Sequence, residues 1–139
     1  MEVMTMPRKI SAVVLGVVVA VILITTIESL GHMVYPPPND LDPANTEALQ
    51  AYVMNAPIAA LLLVISAWII ATLAGGLLAC FIARESPMVY ASIVGGLVLL
   101  GTIMNLFAIP HPLWFSITAV LAVIATIFIT GRLGSSLVP

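Results

Sequence analysis

Charged residues are scarce in this sequence. Its 139 residues include four Lys or Arg and six Asp or Glu, while 62% of the residues are hydrophobic. A soluble domain carries charge on about a quarter of its residues and covers its surface with polar groups. So few charges exclude a water-soluble single domain. Four basic residues and a net charge of −2 also leave no phosphate-binding patch, which excludes nucleic acid as a partner.

Cysteine is nearly absent too. Cys80 is the only one and stands within an apolar run. A single thiol excludes an intramolecular disulfide, and it excludes a zinc or iron–sulfur site built on several cysteines.

Long apolar runs without charge are present instead. Crossing about 30 Å of hydrocarbon takes roughly 20 helical residues. Four stretches qualify, at about 10–30, 57–83, 88–109 and 113–131. Residues 86–131 lack charge throughout, but Pro110 and Pro112 interrupt this stretch where a helix must end. We therefore predict an all-α polytopic membrane protein, an up-down four-transmembrane-helix bundle formed as one domain by residues 1–134.

The distribution of charge predicts the orientation of this bundle. One side of the predicted membrane carries the basic residues Arg8, Lys9, Arg84 and Arg132. The other side carries the acidic residues Asp40, Asp42 and Glu47. Because basic residues of short loops stay in the cytoplasm, both termini and the Arg84 loop are expected to be cytoplasmic.

The loop after the first span has signals of its own. Three prolines follow Tyr35 and impose an extended chain. Asp42 and Pro43 then match an N-cap and a first helical residue, which predicts a short helix on the outer membrane surface. At the other end, residues 135–139 are expected to be an added linker, because their Leu-Val-Pro ending matches the start of a thrombin site.

Small residues predict which helices pack closely, because helices in lipid associate where their backbones can approach. The second span offers Ala71, Gly75 and Ala79, and the third offers Ala91 and Gly95. We expect these two spans to form a tight hairpin across the short loop that joins them. The alternative for the same residues is a contact between copies of the chain in a homo-oligomer.

A polar cluster is predicted at the outer end of the bundle. Glu28 is the key residue, since a carboxylate at the bilayer centre costs about 2.5–3.5 kcal/mol and must face protein or water. Thr25, Glu28 and His32 follow a spacing that keeps all three on one helix face. The other spans bring further polar residues to this level, so that the expected ligand-binding set is Glu28, His32, Tyr35, Asn105, His111 and Ser116.

Several chemistries fit such a cluster. Glu28, His32 and His111 would supply two imidazoles and a carboxylate, a set suited to a divalent metal such as zinc or iron. The sequence does not otherwise identify a cofactor. The alternative is structural: Glu28 and His32 pair with each other, or with Tyr35 and Asn105, and tie the first span to the loop.

The two outer segments together resemble those of a group of small four-span bacterial membrane proteins. They are Glu-Ser-Leu-Gly-His-Met-Val-Tyr-Pro-Pro-Pro at 28–38 and Ile-Pro-His-Pro-Leu-Trp-Phe at 109–115. The resemblance covers most of residues 8–133. It implies a bacterial inner-membrane location and two segments that face each other, and it implies no activity.

These observations leave three functions open. The first is an integral membrane protein whose outward-facing polar pocket binds an ion, a lipid head group or a small solute. The second is a non-catalytic accessory subunit of a larger membrane complex. The third is a membrane-embedded enzyme that uses Glu28 and His32. The inner halves of the spans carry no second carboxylate, so a complete proton path is not visible.

Overall fold

The described part of the chain, residues 2–138, contains five helices. The computed structural model describes residues 2–138, with side chains from residue 6 onwards. The helices are α1 (Glu2–Val34), α2 (Thr46–Met54), α3 (Ile58–Ala83), α4 (Pro87–Ala108) and α5 (Leu113–Leu137). Every helix except α2 is long and apolar enough to cross a membrane. The predicted all-α, four-span bundle is confirmed, and the chain is a multi-pass membrane protein in a lipid bilayer.

The long helix α3 is central to the bundle. It packs against α1, α4 and α5, and α4 packs against α5. Helix α1 lies mainly on α3 and touches α4 less extensively. The up-down order gives the bundle two ends, which we call the α2 end and the Arg84 end.

Helix α1 extends beyond the predicted span at both ends. Its apolar part was expected at 10–30, whereas the helix runs from Glu2 to Val34. The backbone bond from Tyr35 N–H to the Gly31 carbonyl, at 2.8 Å, closes its last turn. Tyr35 precedes Pro36, and a residue before proline is disfavoured in helical geometry, which explains why α1 ends there.

The loop helix α2 begins later than predicted. The expected cap was Asp42, but the N-cap is Asn45, whose side chain accepts a hydrogen bond from Ala48 N–H at 3.1 Å. Asp42 instead accepts from Ala44 N–H at 2.9 Å and closes a turn before the helix. Asx residues stabilise both structures in the same way, so the sequence alone did not distinguish them.

Helices α1 and α3 approach each other closely through small residues. A Cβ atom placed on Gly75 would collide with the carbonyl oxygen of Gly16 and lie 3.1 Å from Ala20. A Cβ on Gly16 would in turn lie 3.1 Å from Ala79. Gly75 and Ala79 therefore pack on α1, which carries its own row of small residues, Ala12, Gly16 and Ala20. Ala79 also lies in one buried cluster with Ala91 and Val94 of α4.

The predicted hairpin of α3 with α4 does form, through partly different residues. Gly76 approaches the Ala91 backbone, with 3.7 Å between its ideal Cβ and the Ala91 Cα. A Cβ on Gly95 would collide with Ile127 of α5 and lie 3.2 Å from Thr72 of α3. Ala91 therefore lies against α3, and Gly95 lies against both α3 and α5. Ala71 is fully buried among the side chains around Trp68.

Polar contacts hold the Arg84 end together. Arg84 and Ser86 adopt positive φ values of 55° and 40°, which make the connection between α3 and α4 tight. Glu85 in this connection forms a 2.8 Å ion pair with Lys9 and accepts a 3.2 Å hydrogen bond from Tyr90. Nearby, α5 continues through residues 135–137 of the expected linker, while Pro139 lies outside the described residues.

Candidate functional site

A cavity of about 280 Å³ lies at the α2 end of the bundle. Leu49, Tyr52 and Val53 of α2 line it from one side, and Val53 also packs against the hydrophobic core, so α2 covers part of this space. We call this space the roofed cavity. It is lined by Glu28, Gly31, His32, Tyr35, Leu49, Tyr52, Val53, Ala56, Ala60, Leu61, Leu63, Val64, Trp68, Asn105, Ile109 and His111.

Most of the polar residues expected at this level line the roofed cavity. They are Glu28, His32, Tyr35, Asn105 and His111. The topology explains the gathering: α1 and α4 end here, and the connection from α4 to α5 crosses the same level. The sequence therefore predicts the position of these residues, and a ligand for them stays a prediction.

Glu28 is held by a tryptophan. The indole N–H of Trp68 donates to Glu28 Oε1 at 3.1 Å, joining α3 to α1. Trp68 is only 4% exposed, so its N–H needs this acceptor. No described side chain donates to Glu28 Oε2, and the half-buried carboxyl lines the cavity. This bond differs from the expected pairing of Glu28 with His32, Tyr35 or Asn105.

His111 is fixed by its neighbours. Its ring stacks on Phe115 with 4.7 Å between the ring centroids. Its Nδ1 contacts the carbonyl oxygen of Ile109. Because a carbonyl only accepts, Nδ1 carries the hydrogen of this bond. Burial lowers the pKa of His111 below its usual value of 6.5, so the ring is neutral at pH 7 and Nε2 is a hydrogen-bond acceptor.

Two expected members of the cluster lie elsewhere. Ser116 lines a different cavity between α4 and α5, and its hydroxyl lies 3.5 Å from the Pro112 carbonyl in its own first turn. Thr25 donates to the carbonyls of Val21 and Ile22 within α1. Ser116 therefore does not line the roofed cavity, because the first turn of α5 directs it away from that space.

A metal bound by Glu28, His32 and His111 stays a prediction. Among the described residues, no three His, Cys, Asp or Glu side chains are placed to hold a metal ion. Glu28, His32 and His111 share the cavity wall, but Glu28 is bonded to Trp68 and His111 Nδ1 to Ile109. His32 is exposed. Glu28 and His111 are thus held by different partners, and no hydrogen bond in the described structure fixes His32.

A second cavity of about 250 Å³ opens between α1 and α4. We call it the lateral groove. It shares Glu28, Trp68 and Asn105 with the roofed cavity, so the two spaces meet at these three residues. The groove is otherwise lined by Val17, Ala20, Val21, Ile24, Leu97, Val98, Gly101 and Thr102.

Thr102 is exceptional among the buried hydroxyls. It is 3% exposed, and its Oγ1 has no hydrogen-bond partner. Thr72, Thr126 and Thr130 are buried as well, and each donates to the carbonyl four residues earlier. A buried hydroxyl without a partner costs about 1–3 kcal/mol, which marks this part of the groove as a place for a polar group.

The expected set lacked Trp68, Tyr52 and Thr102. Trp68 had a recognisable signal, since an indole N–H within an apolar span needs an acceptor and Glu28 is the carboxyl of the spans. Tyr52 lines the cavity because of where α2 lies, which the sequence does not specify. The lack of a hydrogen-bond partner for Thr102 likewise depends on how the helices pack.

No protein-family model, curated protein or solved structure matches the chain. The resemblance to small four-span bacterial membrane proteins is therefore neither supported nor contradicted by these comparisons.

Proposed function

We propose that this membrane protein binds a small ligand or head group that carries hydrogen-bond donors, in the roofed cavity at the bilayer surface. The observation that carries the proposal is the Glu28 carboxyl, which lines the cavity with Oε1 bonded to Trp68 and Oε2 free of described donors. A carboxyl group held within a membrane span is costly and commonly marks a functional site.

Acceptor atoms dominate the fixed polar groups of the cavity. Glu28 presents a carboxylate oxygen, and neutral His111 presents Nε2 because its Nδ1–H is bonded to Ile109. A ligand rich in N–H or O–H groups satisfies both, whereas an acceptor-rich ligand such as a bare phosphate faces their lone pairs. The hydroxyls of Tyr35 and Tyr52, which donate or accept, suit either partner.

The charge at this end also favours a donor-rich, cationic ligand. The loop that carries α2 contains Asp40, Asp42 and Glu47 and no Lys or Arg. The basic residues lie in or beside the helix termini of the Arg84 end. A cation approaching the α2 end is attracted by this field, and an anion is repelled.

The same distribution supports an orientation. The alternating helices gather Arg8, Lys9, Arg84 and Arg132 at one end. By the preference of basic residues for the cytoplasm, that end and both termini are cytoplasmic in a bacterial inner membrane. The roofed cavity then faces outward, and its ligand arrives from outside the cell or from the outer leaflet.

Native mass spectrometry of protein extracted in mild detergent tests this proposal. We expect a non-protein mass on the wild type and on Ala59→Phe, and its loss from Ala60→Phe and Glu28→Gln. Ala60 lines the cavity, whereas Ala59, its neighbour in the first turn of α3, does not. Equal retention in all four proteins would contradict the proposal. An absence of added mass from all four would also contradict it and would favour the accessory-subunit alternative.

A further inference from the structure

We infer that the ligand is a membrane lipid with a primary ammonium head group, whose acyl chain lies in the lateral groove between α1 and α4. This inference rests on the proposed function and names its ligand class. It is carried by the junction of the two cavities at Glu28, Trp68 and Asn105, and by the unpartnered hydroxyl of Thr102.

The groove has the dimensions of one lipid leaflet. It extends along α1 from Glu28 to Val17, which corresponds to about 16 Å at 1.5 Å per residue. That length is about half of the roughly 30 Å hydrocarbon thickness. Its walls are aliphatic, with Val21 and Ile24 on α1 facing Leu97 and Val98 on α4. A soluble ligand would leave this apolar length unused, whereas an acyl chain fills it.

The polar residues of the groove match the middle of a lipid. Thr102 is buried with an unused hydroxyl, and Asn105 lies one turn further along α4 towards the roofed cavity. Both side chains can donate hydrogen bonds, and the ester and phosphate oxygens between a head group and its chains accept them. Acceptors thus lie where the head group would bind, and donors lie further along the groove where the phosphate and ester oxygens would follow. This is the order of these groups along a lipid molecule.

An ammonium group fits the head-group position better than the alternatives. Three N–H donors match Glu28 Oε2 and His111 Nε2, and the positive charge suits an end that has Asp40, Asp42 and Glu47 in its loop. The trimethylammonium head group of phosphatidylcholine has the positive charge but no N–H donor. The glycerol head group of phosphatidylglycerol has O–H donors, but this lipid is a net anion. Phosphatidylethanolamine combines the cation and the donors.

The glycines of α4 provide a matched pair of test variants. An ideal Cβ on Gly101 meets no atom within 4 Å, and the same holds for Gly96. Gly101 lines the groove and Gly96 does not. The Cβ atom of either substitution therefore meets no protein atom, and Gly101→Leu places a leucine at the groove whereas Gly96→Leu places the same side chain outside it.

The experiment titrates delipidated protein in detergent with phosphatidylethanolamine, phosphatidylcholine and phosphatidylglycerol of identical chains, and native mass spectrometry measures the bound fraction. We expect the wild type to bind one phosphatidylethanolamine molecule, about tenfold more tightly than either of the other lipids. Such a difference corresponds to one charge-assisted hydrogen bond. Gly101→Leu and Glu28→Gln should weaken that binding about tenfold, and Gly96→Leu should not. Thr102→Val should weaken it as well. Thr126→Val should not, because the Thr126 hydroxyl already donates to the Ala122 carbonyl.

Three results would overturn the inference. They are equal binding of the three lipids, preference for phosphatidylglycerol, and wild-type binding by both Gly101→Leu and Thr102→Val. Free ethanolamine separates the inference from the function on which it rests. If ethanolamine raises the melting temperature of the wild type but not of Glu28→Gln, while lipids bind without selectivity, the cavity binds a soluble ligand and only the lipid inference fails. If neither Glu28→Gln nor Ala60→Phe changes the binding of ethanolamine or of any lipid, both proposals fail.

Discussion

Trp68 and Glu28 are joined by a 3.1 Å hydrogen bond, although 40 residues separate them in the sequence. The bond links the central helix α3 to α1 and fixes the carboxyl at the junction of the two cavities. Trp68 also packs edge-on against Phe115, on which His111 stacks. Glu28 and His111 are thus connected through Trp68 and Phe115.

Replacing Trp68 by Phe should destabilise the bundle. The variant keeps an aromatic ring against Phe115 but removes the donor to Glu28, which leaves the carboxyl without a described partner. We expect a loss of about 1–3 kcal/mol in the free energy of unfolding. Denaturant titration in detergent micelles measures it. Trp114→Phe is the control, because Trp114 is 40% exposed. Equal stability of the two variants would show that the Trp68–Glu28 bond contributes nothing.

The close approach of α1 and α3 predicts opposite results for two glycines. A methyl group on Gly75 would collide with the Gly16 carbonyl oxygen, so Gly75→Ala should cost about 1–3 kcal/mol. Gly96→Ala should leave stability unchanged or raise it by up to about 1 kcal/mol, since its methyl group is unobstructed and Ala favours helices. Thermal unfolding in the same detergent compares them, and a harmless Gly75→Ala would refute the contact.

The ion pair at the Arg84 end predicts a pH-dependent difference. The hydrogen bond from Lys9 holds the pKa of Glu85 below its usual value of 4.5. A lowered carboxyl pKa contributes stability above the unfolded-state pKa, and this contribution is lost as pH falls through the folded-state pKa. Glu85→Gln should therefore melt below the wild type at pH 7, and the difference should vanish in acid. A difference that stays constant with pH would show that the charge of Glu85 is not responsible.

The orientation can be tested with introduced cysteines. In a Cys80→Ala background, Ala44→Cys should react with a membrane-impermeant maleimide on intact cells, because Ala44 is exposed in the loop at the α2 end. Ser86→Cys, in the exposed connection between α3 and α4, should react only after the membrane is permeabilised. The reverse labelling would place the roofed cavity on the cytoplasmic side.

Apolar length predicted the spans well and the helix ends less well. The four spans were predicted because few other structures satisfy their backbone groups in lipid. Helix α1 nevertheless starts at Glu2, within charged sequence, since an apolar run marks contact with lipid and not the limits of backbone hydrogen bonding. The start of α2 was misplaced because Asp42 and Asn45 are both good caps.

Helix partners were harder to predict than helices. The row of Ala71, Gly75 and Ala79 indicates a flat face, but a flat face does not specify its partner. The matching row of Ala12, Gly16 and Ala20 in α1 was the missing signal. Two such rows at the same four-residue spacing identify a pair better than either row does alone.

The candidate site was predictable where topology alone places residues. Glu28, His32, Asn105 and His111 lie near the ends or connections of spans, so counting residues brings them to one level. Ser116 lies outside the roofed cavity, because its rotation about the axis of α5, and not its level, directs it into another cavity. The bond of Trp68 depends on the register between α1 and α3, which a single sequence does not specify.

The fluorescence of Trp68 tests the central claim most directly. In Trp114→Phe, Trp68 is the remaining tryptophan, and its indole N–H is bonded to the carboxyl proposed to bind the ligand. The account predicts a saturable change in its emission as ethanolamine is added up to roughly 0.1 M, well above the 1 mM dissociation constant of a weak site. The change in emission should be lost when the protein also carries Ala60→Phe or Glu28→Gln. Choline lacks N–H donors and should produce a smaller change in emission. No change in emission, or an equal change in the protein with Ala60→Phe, would contradict the account.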